Sequence, residues 1–185
     1  MRKERIIFMG TPAMSKIYLQ SLIDHEYNII AVYTQPPRKK GRGMMIQNSS
    51  VHTFALENSI PVYHPINFES LDTVNEFKEL NSDIAVVMGY GILLPKNIFN
   101  TPVHGSINIH VSLLPRWRGA APIEHAILNG DSVTGVSIFQ LEEKLDAGPI
   151  IAAQKIDIDK NISKEDLIIQ LNALGTSLLI KILPD

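Results

Sequence analysis

Three polar residues in the middle of the sequence have side chains suited to acyl transfer. Asn108 and His110 are two positions apart in an alternating segment, so their side chains share one side of a predicted strand. Asp146 lies further on, in a Leu-Asp-Ala-Gly-Pro turn between two strand candidates. An amide can stabilise an oxyanion, and an imidazole that titrates near neutrality can move a proton. A carboxylate can orient that imidazole. Together they suit acyl transfer to an amine.

Ordinary structural roles are also open to these residue types. A histidine or asparagine at the end of a strand often completes local hydrogen bonds, and an aspartate beside Gly-Pro is common turn chemistry. Spacing alone therefore leaves both interpretations open and favours the structural one.

The elements that would position these residues alternate between short apolar runs and helical patterns, as is typical of βα units. Strands are predicted at residues 6–9, 29–33, 61–63, 84–88, 106–110, 135–141 and 150–155. Helices are predicted at residues 14–24, 50–58, 71–80, 121–128 and 166–182, with Ser163 and Asp166 resembling a capping box. Residues 84–88 are continuously apolar, as expected for a strand covered on both faces. We expect an α/β fold with the Asn108–His110 strand ending at the rim of a cleft.

Residues 35–49 interrupt this alternation with a polar, basic segment. Its length is near the limit for a structureless loop, which indicates a functional or mobile segment. Four cations lie in it, at Arg38, Lys39, Lys40 and Arg42. Such a run is usually a solvated loop, but it also suits contact with phosphates.

A second loop is predicted at residues 112–122, between the strand of His110 and the next helix. Pro115 and Pro122 bracket it. Its two arginines, Arg116 and Arg118, could reach the site or could tether the loop to carboxylates, and the sequence does not separate these alternatives.

Composition limits the classes of protein that need consideration. The 185 residues are 45% apolar and 19% charged, which indicates an ordinary globular domain. A net charge of −2 argues against general polyanion binding. The absence of cysteine excludes disulfides and thiolate catalysis, and the histidines lack a shared ligand spacing, so no metal is expected. The longest apolar stretch, residues 85–95, contains two glycines and cannot span a bilayer. We expect a cytoplasmic protein with no membrane association and no obligate protein partner.

Two motifs carry a family resemblance. Residues 107–122, INIHVSLLPRWRGAAP, resemble the signature of the 10-formyltetrahydrofolate-dependent formyltransferases. Residues 145–149 are similar to the second signature of that family, and residues 8–12 and 34–43 agree with it. The resemblance runs over essentially the whole chain. It implies one Rossmann-like, three-layer formyltransferase domain over residues 1–185 with a mostly parallel central sheet. It also implies that Asn108, His110 and Asp146 are catalytic.

The resemblance implies substrates as well. The formyl donor would be 10-formyltetrahydrofolate, in a cleft lined by the loop leading to Asp146 and by two other segments. The folate-binding residues would be Met88, Gly89, Tyr90, Gly91, Ile92, Leu93, Ser112, Leu113, Leu114 and Pro115. Residues 116–123 and the basic segment look most like the subgroup that formylates the amino group of initiator methionyl-tRNA in translation initiation. The tRNA would then meet Arg38, Lys39, Lys40 and Arg42, with Arg42, between two glycines, as the first candidate. Members of that subgroup continue into a C-terminal β-barrel domain, which these 185 residues do not include.

Three other functions stay open at this point. The amine could belong to a nucleotide sugar or to glycinamide ribonucleotide, or water could be the acceptor, as in a formyltetrahydrofolate hydrolase. The chain could also be a non-catalytic folate- or RNA-binding module. The basic segment favours tRNA, because a small acceptor does not need four cations on a long loop.

Overall fold

A computed structural model describes residues 4–40 and 44–183, with the backbone alone for Lys40. The strands are β1 Arg5–Gly10, β2 Asn28–Tyr33, β3 Arg38–Lys40, β4 Met45–Gln47, β5 Val62–Tyr63, β6 Ile84–Met88, β7 Ser106–His110, β8 Val133–Gln140 and β9 Ile150–Asp157. The helices are α1 Ala13–Asp24, α2 Ser50–Glu57, α3 Leu71–Glu79, α4 Lys96–Phe99, α5 Pro122–Leu128 and α6 Lys164–Ile182. Every predicted strand and helix is confirmed, with ends that differ by one or two residues.

The central sheet has seven strands in the order β5-β2-β1-β6-β7-β8-β9. The pairs β1–β2, β1–β6 and β2–β5 are parallel. The pairs β7–β8 and β8–β9 are antiparallel. The predicted α/β class with a mostly parallel sheet is therefore confirmed. The chain divides into two compact units, Met1–Ser106 and Ile107–Asp185.

The first unit is built from βα crossovers. Its strands β1 and β6 are neighbours in the sheet, and Ile7, Phe8 and Val86 on them are fully buried. Successive strands move outward from β1 to β2 and β5, and the chain then returns to the other side of β1 at β6. Because such crossovers are right-handed, α1 and α2 belong to one face and α3 and α4 to the other. Consistent with this, α1 packs against α2 and α3 against α4.

The strands of the second unit pair in antiparallel fashion, and α6 lies against them. This helix packs against β8, β9 and α5, and it buries Leu167, Leu171 and Leu179. Its N-cap is Ser163, whose hydroxyl oxygen accepts from the Asp166 N–H at 3.0 Å and donates to the Asp166 carboxylate at 2.7 Å. The predicted cap is thus present. The aspartate side chain is shorter than the glutamate of a capping box, and it accepts from the serine hydroxyl. Among the described residues, no helix has both the length and the apolar character needed to cross a membrane.

Three short elements, the strands β3 and β4 and the helix α4, were not predicted. The segment interpreted as a structureless loop contains a hairpin, in which Lys39 on β3 pairs with Ile46 on β4. Three-residue strands are too short for an alternating pattern to be recognised. The four-residue helix α4 escapes a periodicity analysis for the same reason.

Candidate active site

His110 and Asp146 lie side by side although 36 positions separate them in the sequence. His110 is the last residue of β7 and pairs with Ser137 on β8. Asp146 stands in the connection from β8 to β9. The His110 Nδ1 is 3.8 Å from the Asp146 Oδ2, and both side chains are more than nine-tenths buried. The structure thus forms an imidazole–carboxylate pair with little access to water.

The turn around Asp146 is fixed by its backbone. Asp146 has a left-handed conformation with φ of +46°, which aspartate tolerates better than most residues. Gly148 packs against the Gln140 carbonyl so closely that any Cβ would collide with it. The N–H of Gly119 donates to the Asp146 Oδ2 at 2.7 Å. The carboxylate therefore has a defined direction before any substrate binds.

Residues 112–119, which follow β7, form a loop that we call the carbonyl loop, because its Trp117 carbonyl oxygen lies 2.7 Å from the His110 Nε2. The start of the loop is braced by hydroxyl groups. The Ser112 Oγ donates to the Arg116 carbonyl at 2.6 Å, and the Ser137 Oγ donates to the Ser112 carbonyl at 2.8 Å. The Leu114–Pro115 bond is cis.

The far side of the carbonyl loop is attached to Asp131. Arg116 donates to this carboxylate from Nε at 2.8 Å and from Nη2 at 2.6 Å, and the Trp117 Nε1 donates at 2.7 Å. The Arg116 hydrogen bonds hold the pKa of Asp131 below its ordinary value against the effect of desolvation, and the Trp117 bond adds to this. Of the two alternatives for Arg116, the structure supports the tether. Arg118 is exposed.

Asn108 occupies β7 opposite Phe139 of β8 and is half-buried. Strand alternation puts its side chain on the same side as His110. Within the part of the chain that the structure describes, the Asn108 amide makes no hydrogen bond, either to the His110–Asp146 pair or elsewhere. Its amide is thus available to a ligand.

The predicted folate-binding residues of the second unit differ in accessibility. Ser112 is fully buried and its hydroxyl is used within the loop, whereas Leu113 and Leu114 are half-buried and Pro115 is exposed. Contact with folate stays a prediction for all four.

The predicted folate-binding residues of the first unit follow β6. Gly89 and Gly91 have positive φ, at +59° and +77°. The Met88 carbonyl accepts from the Ser15 hydroxyl at 2.5 Å. The Tyr90 carbonyl accepts from Thr11 at 2.8 Å and from Gln35 at 3.1 Å. Ile92 is half-buried and Leu93 is exposed. Two carbonyls of this turn therefore already accept hydrogen bonds from other side chains of the protein. Contact of these residues with folate stays a prediction.

The basic segment is displayed on the β3–β4 hairpin. Arg38 and Lys39 are exposed there. The Lys40 side chain and the whole of Arg42 lie outside the described residues. At the base of the hairpin, the Thr34 and Ser49 hydroxyls are 2.8 Å apart, and Ser49 also caps α2 by accepting from the His52 N–H at 3.0 Å. Among the described residues, no three His, Cys, Asp or Glu side chains are grouped as a metal site would require.

Asp131 is the residue near the pair that sequence reasoning missed. It follows Asn129 and Gly130, and this sequence is typical of an ordinary turn after a helix. The only available signal was the presence of two arginines in a loop that needed a carboxylate partner, and many carboxylates could have filled that role.

Comparisons with known proteins show the family of the chain. A family model described as Formyl transferase matches residues 4–183, so the chain belongs to the formyl transferase family. A methionyl-tRNA formyltransferase of Wolbachia sp. subsp. Drosophila simulans is 48% identical over 179 residues, which cover 97% of this chain and 60% of the relative. A methionyl-tRNA formyltransferase of Ehrlichia ruminantium is 44% identical over 180 residues, covering 97% and 59%. The chain thus spans about three-fifths of the length of these relatives.

Solved structures share the fold. A phosphoribosylglycinamide formyltransferase from Bacillus halodurans has a TM-score of 0.78 at 25% identity, covering 95% of this chain and 91% of that one. A formyltetrahydrofolate deformylase from Pseudomonas syringae has a TM-score of 0.77 at 22% identity, covering 97% and 60%. The second likeness concerns the fold alone.

Proposed function

We propose that this chain transfers the formyl group of 10-formyltetrahydrofolate to the amino group of initiator methionyl-tRNA. The observation that carries the proposal is the buried His110–Asp146 pair, held by the loop that contains the formyltransferase signature. The name shared by relatives at 44–48% identity supports the choice of acceptor. An enzyme with this activity acts in translation initiation.

The chemistry assigns one role to each residue. The amine attacks the formyl carbon, a new C–N bond forms, and the carbonyl electrons move to the oxygen. The Asn108 amide would donate to that oxyanion. His110 would take the proton from the resulting ammonium and return it to the folate nitrogen as its C–N bond breaks. Asp146 would stabilise the imidazolium in between. No covalent enzyme nucleophile is required, because an α-amine with a pKa of about 7.7–8.0 is partly neutral at pH 7.

The donor would contact the turn after β6 and the carbonyl loop. Gly89 and Gly91 carry no side chain, which permits close approach of a flat pterin to the backbone. The Tyr90 carbonyl already accepts two hydrogen bonds, so we expect other backbone groups and apolar side chains to make the contacts. The acceptor tRNA would contact Arg38, Lys39, Lys40 and Arg42 through its phosphates.

The test is an assay with one donor and several acceptors. The chain is given 10-formyltetrahydrofolate together with methionylated initiator tRNA, glycinamide ribonucleotide, an amino sugar nucleotide or water alone. Formyl transfer to the tRNA, with the other three acceptors slower, is the expected result. The same assay with His110→Ala checks that the transfer is enzymatic.

Each other outcome selects a different function. Formylation of glycinamide ribonucleotide without reaction of the tRNA would assign the chain to the activity named for the Bacillus halodurans structure. Donor hydrolysis in every mixture would indicate a hydrolase. Donor binding without any turnover would indicate a non-catalytic folate-binding module.

A further inference from the structure

The imidazole of His110 has a defined tautomer in this structure. Its Nε2 lies 2.7 Å from the Trp117 carbonyl oxygen, and a carbonyl oxygen only accepts hydrogen bonds. The Nε2 must therefore carry a proton in every state that keeps this bond. In the neutral ring the lone pair is then on Nδ1, which faces the Asp146 carboxylate at 3.8 Å. This separation is longer than a hydrogen bond, as expected for two groups that both lack a proton.

The carbonyl that sets this tautomer belongs to a backbone under strain. Trp117 has φ of +57°, a left-handed conformation that a bulky residue rarely adopts. Unless side-chain contacts hold it, such a residue relaxes to negative φ, and its carbonyl then turns away.

Asp131 supplies those contacts. Its carboxylate accepts from the Trp117 Nε1 and, through the two Arg116 donors, fixes the residue before Trp117. The Arg116 guanidinium lies over the indole ring at 4.3 Å, and the His125 ring stacks on the indole at 5.2 Å. Only 11% of the Asp131 side chain is exposed, against 56% for Arg116, so the carboxylate is the fixed member of the group.

The same loop also reaches the other member of the catalytic pair. Two residues after Trp117, the Gly119 N–H donates to the Asp146 Oδ2 at 2.7 Å. One short segment therefore contacts the imidazole through a carbonyl and the carboxylate through an N–H.

We infer that Asp131 is a positioning residue, which holds the Trp117 carbonyl on His110 and so leaves Nδ1 as the nitrogen that exchanges the proton. The kinetic part of this inference rests on the proposed function, whereas the tautomer does not. When His110 takes the substrate proton at Nδ1, Nε2–H keeps the Trp117 carbonyl as its acceptor and the new Nδ1–H faces Asp146. Asp131 touches no reacting atom and acts only through Trp117.

The first experiment reads the tautomer without any substrate. Long-range ¹H–¹⁵N correlation spectra are recorded on ¹⁵N-histidine-labelled protein at a pH where His110 is neutral. The wild type should show the Nε2–H pattern for His110, and Asp131→Ala should show a mixture of both tautomers. Asp24→Ala is the control, since it removes a carboxylate on α1 of the first unit that accepts from the Gln20 amide at 2.6 Å. An Nδ1–H pattern in the wild type, or an unchanged pattern in Asp131→Ala, would overturn the inference.

The second experiment separates positioning from stability. Asp131→Ala should lower kcat about ten- to a hundredfold, the range expected for a small misplacement of a catalytic group, with the KM for the donor nearly unchanged. Trp117→Phe keeps the carbonyl and an aromatic ring but loses the Nε1–H and part of the indole, while the two Arg116 bonds to Asp131 remain, so its loss should be smaller. In the double variant the two losses should not add, because one connection carries both.

Four further results would decide the test. Additive losses, or a rise in KM with kcat unchanged, would contradict the assigned role. If Asp131→Ala fails to fold, Asp131→Asn and Trp117→Phe are compared by the tautomer spectra and by kcat. Wild-type spectra and kcat in both variants would also contradict the assigned role. A wild type that transfers no formyl group refutes the proposed function, while the spectra still decide the tautomer.

Discussion

The carbonyl loop and the β3–β4 hairpin are the two segments that interrupt the alternation of strands and helices, and they are built in opposite ways. In the carbonyl loop, Ser112 is fully buried and hydroxyl, guanidinium and carboxylate groups brace the backbone at several points. In the hairpin, Met45 and Ile46 are both 71% exposed, and hydroxyl contacts are found at its base. One segment is rigid around a buried pair, and the other presents its side chains to solvent.

This difference suits the two physical tasks that the proposed function would require. A catalytic group must be held within a fraction of an ångström, because a displacement of about 1 Å can cost a hundredfold in rate. A phosphate contact tolerates much looser geometry, since Coulomb attraction changes slowly with distance and is limited mainly by salt. We therefore expect substitutions in the two segments to act on different kinetic quantities.

The largest effect should come from the pair that the carbonyl loop holds. His110→Ala removes the proton acceptor, and Asp146→Asn removes the charge that stabilises the imidazolium. Each should lower kcat by about two or more orders of magnitude, as is usual when general acid–base catalysis is lost. Single-turnover formyl transfer with saturating donor and acceptor measures this. Donor affinity, measured by equilibrium binding, should change much less. Near-normal turnover in either variant would show that the rigid segment does not serve catalysis.

A smaller effect, of a different kind, should come from the basic segment at residues 35–49. Arg38→Ala, Lys39→Ala and Arg42→Ala should each weaken the use of tRNA and leave kcat and donor affinity unchanged. For each lost phosphate contact, the slope of log K against log salt should fall by about one. The measurement is the KM for tRNA at several salt concentrations. Lys78→Ala, on α3, is the matched control for loss of one charge. Equal loss of donor affinity and tRNA use would mean that the hairpin is a structural element instead.

The sequence patterns predicted the regular elements well and the two irregular segments less completely. Residues 85–88 of β6 and four of the five leucines of α6 are buried as their patterns require, because burial of apolar side chains dominates where those elements lie. The proximity of His110 and Asp146 was inferred from motifs. No local pattern could indicate the distance between them, since β8 ends opposite the start of β7 and the connection from β8 to β9 then brings Asp146 back to His110.

The contacts that brace the carbonyl loop were the least predictable part of the site. Asp131 contacts Arg116 and Trp117 because the chain after α5 returns to the carbonyl loop. The spacing of these residues in the sequence does not predict this contact. The hairpin was missed for a related reason, since its ladder depends on pairing between two short segments and not on a periodic pattern in either one.

The smallest expected effects come from two serine substitutions, one in each segment. They should differ in kcat as well as in the free energy of unfolding. Ser137→Ala removes a hydroxyl that donates to the Ser112 carbonyl at 2.8 Å and accepts from the Leu114 N–H at 3.1 Å. Leaving these buried groups unpaired should cost about 1–3 kcal/mol in the free energy of unfolding.

Ser49→Ala is the matched change at the base of the hairpin, since it removes the α2 cap and should cost about 1 kcal/mol. Denaturant unfolding measures both costs, and the kinetics then distinguish the two serines. Ser137→Ala should also lower kcat severalfold, because the Trp117 carbonyl and the Gly119 N–H both depend on the brace. Ser49→Ala should leave kcat unchanged and affect only the tRNA KM. Equal effects of the two changes on kcat would mean that loss of stability alone explains the rate, and the contrast between the rigid and the exposed segment would then have no catalytic meaning.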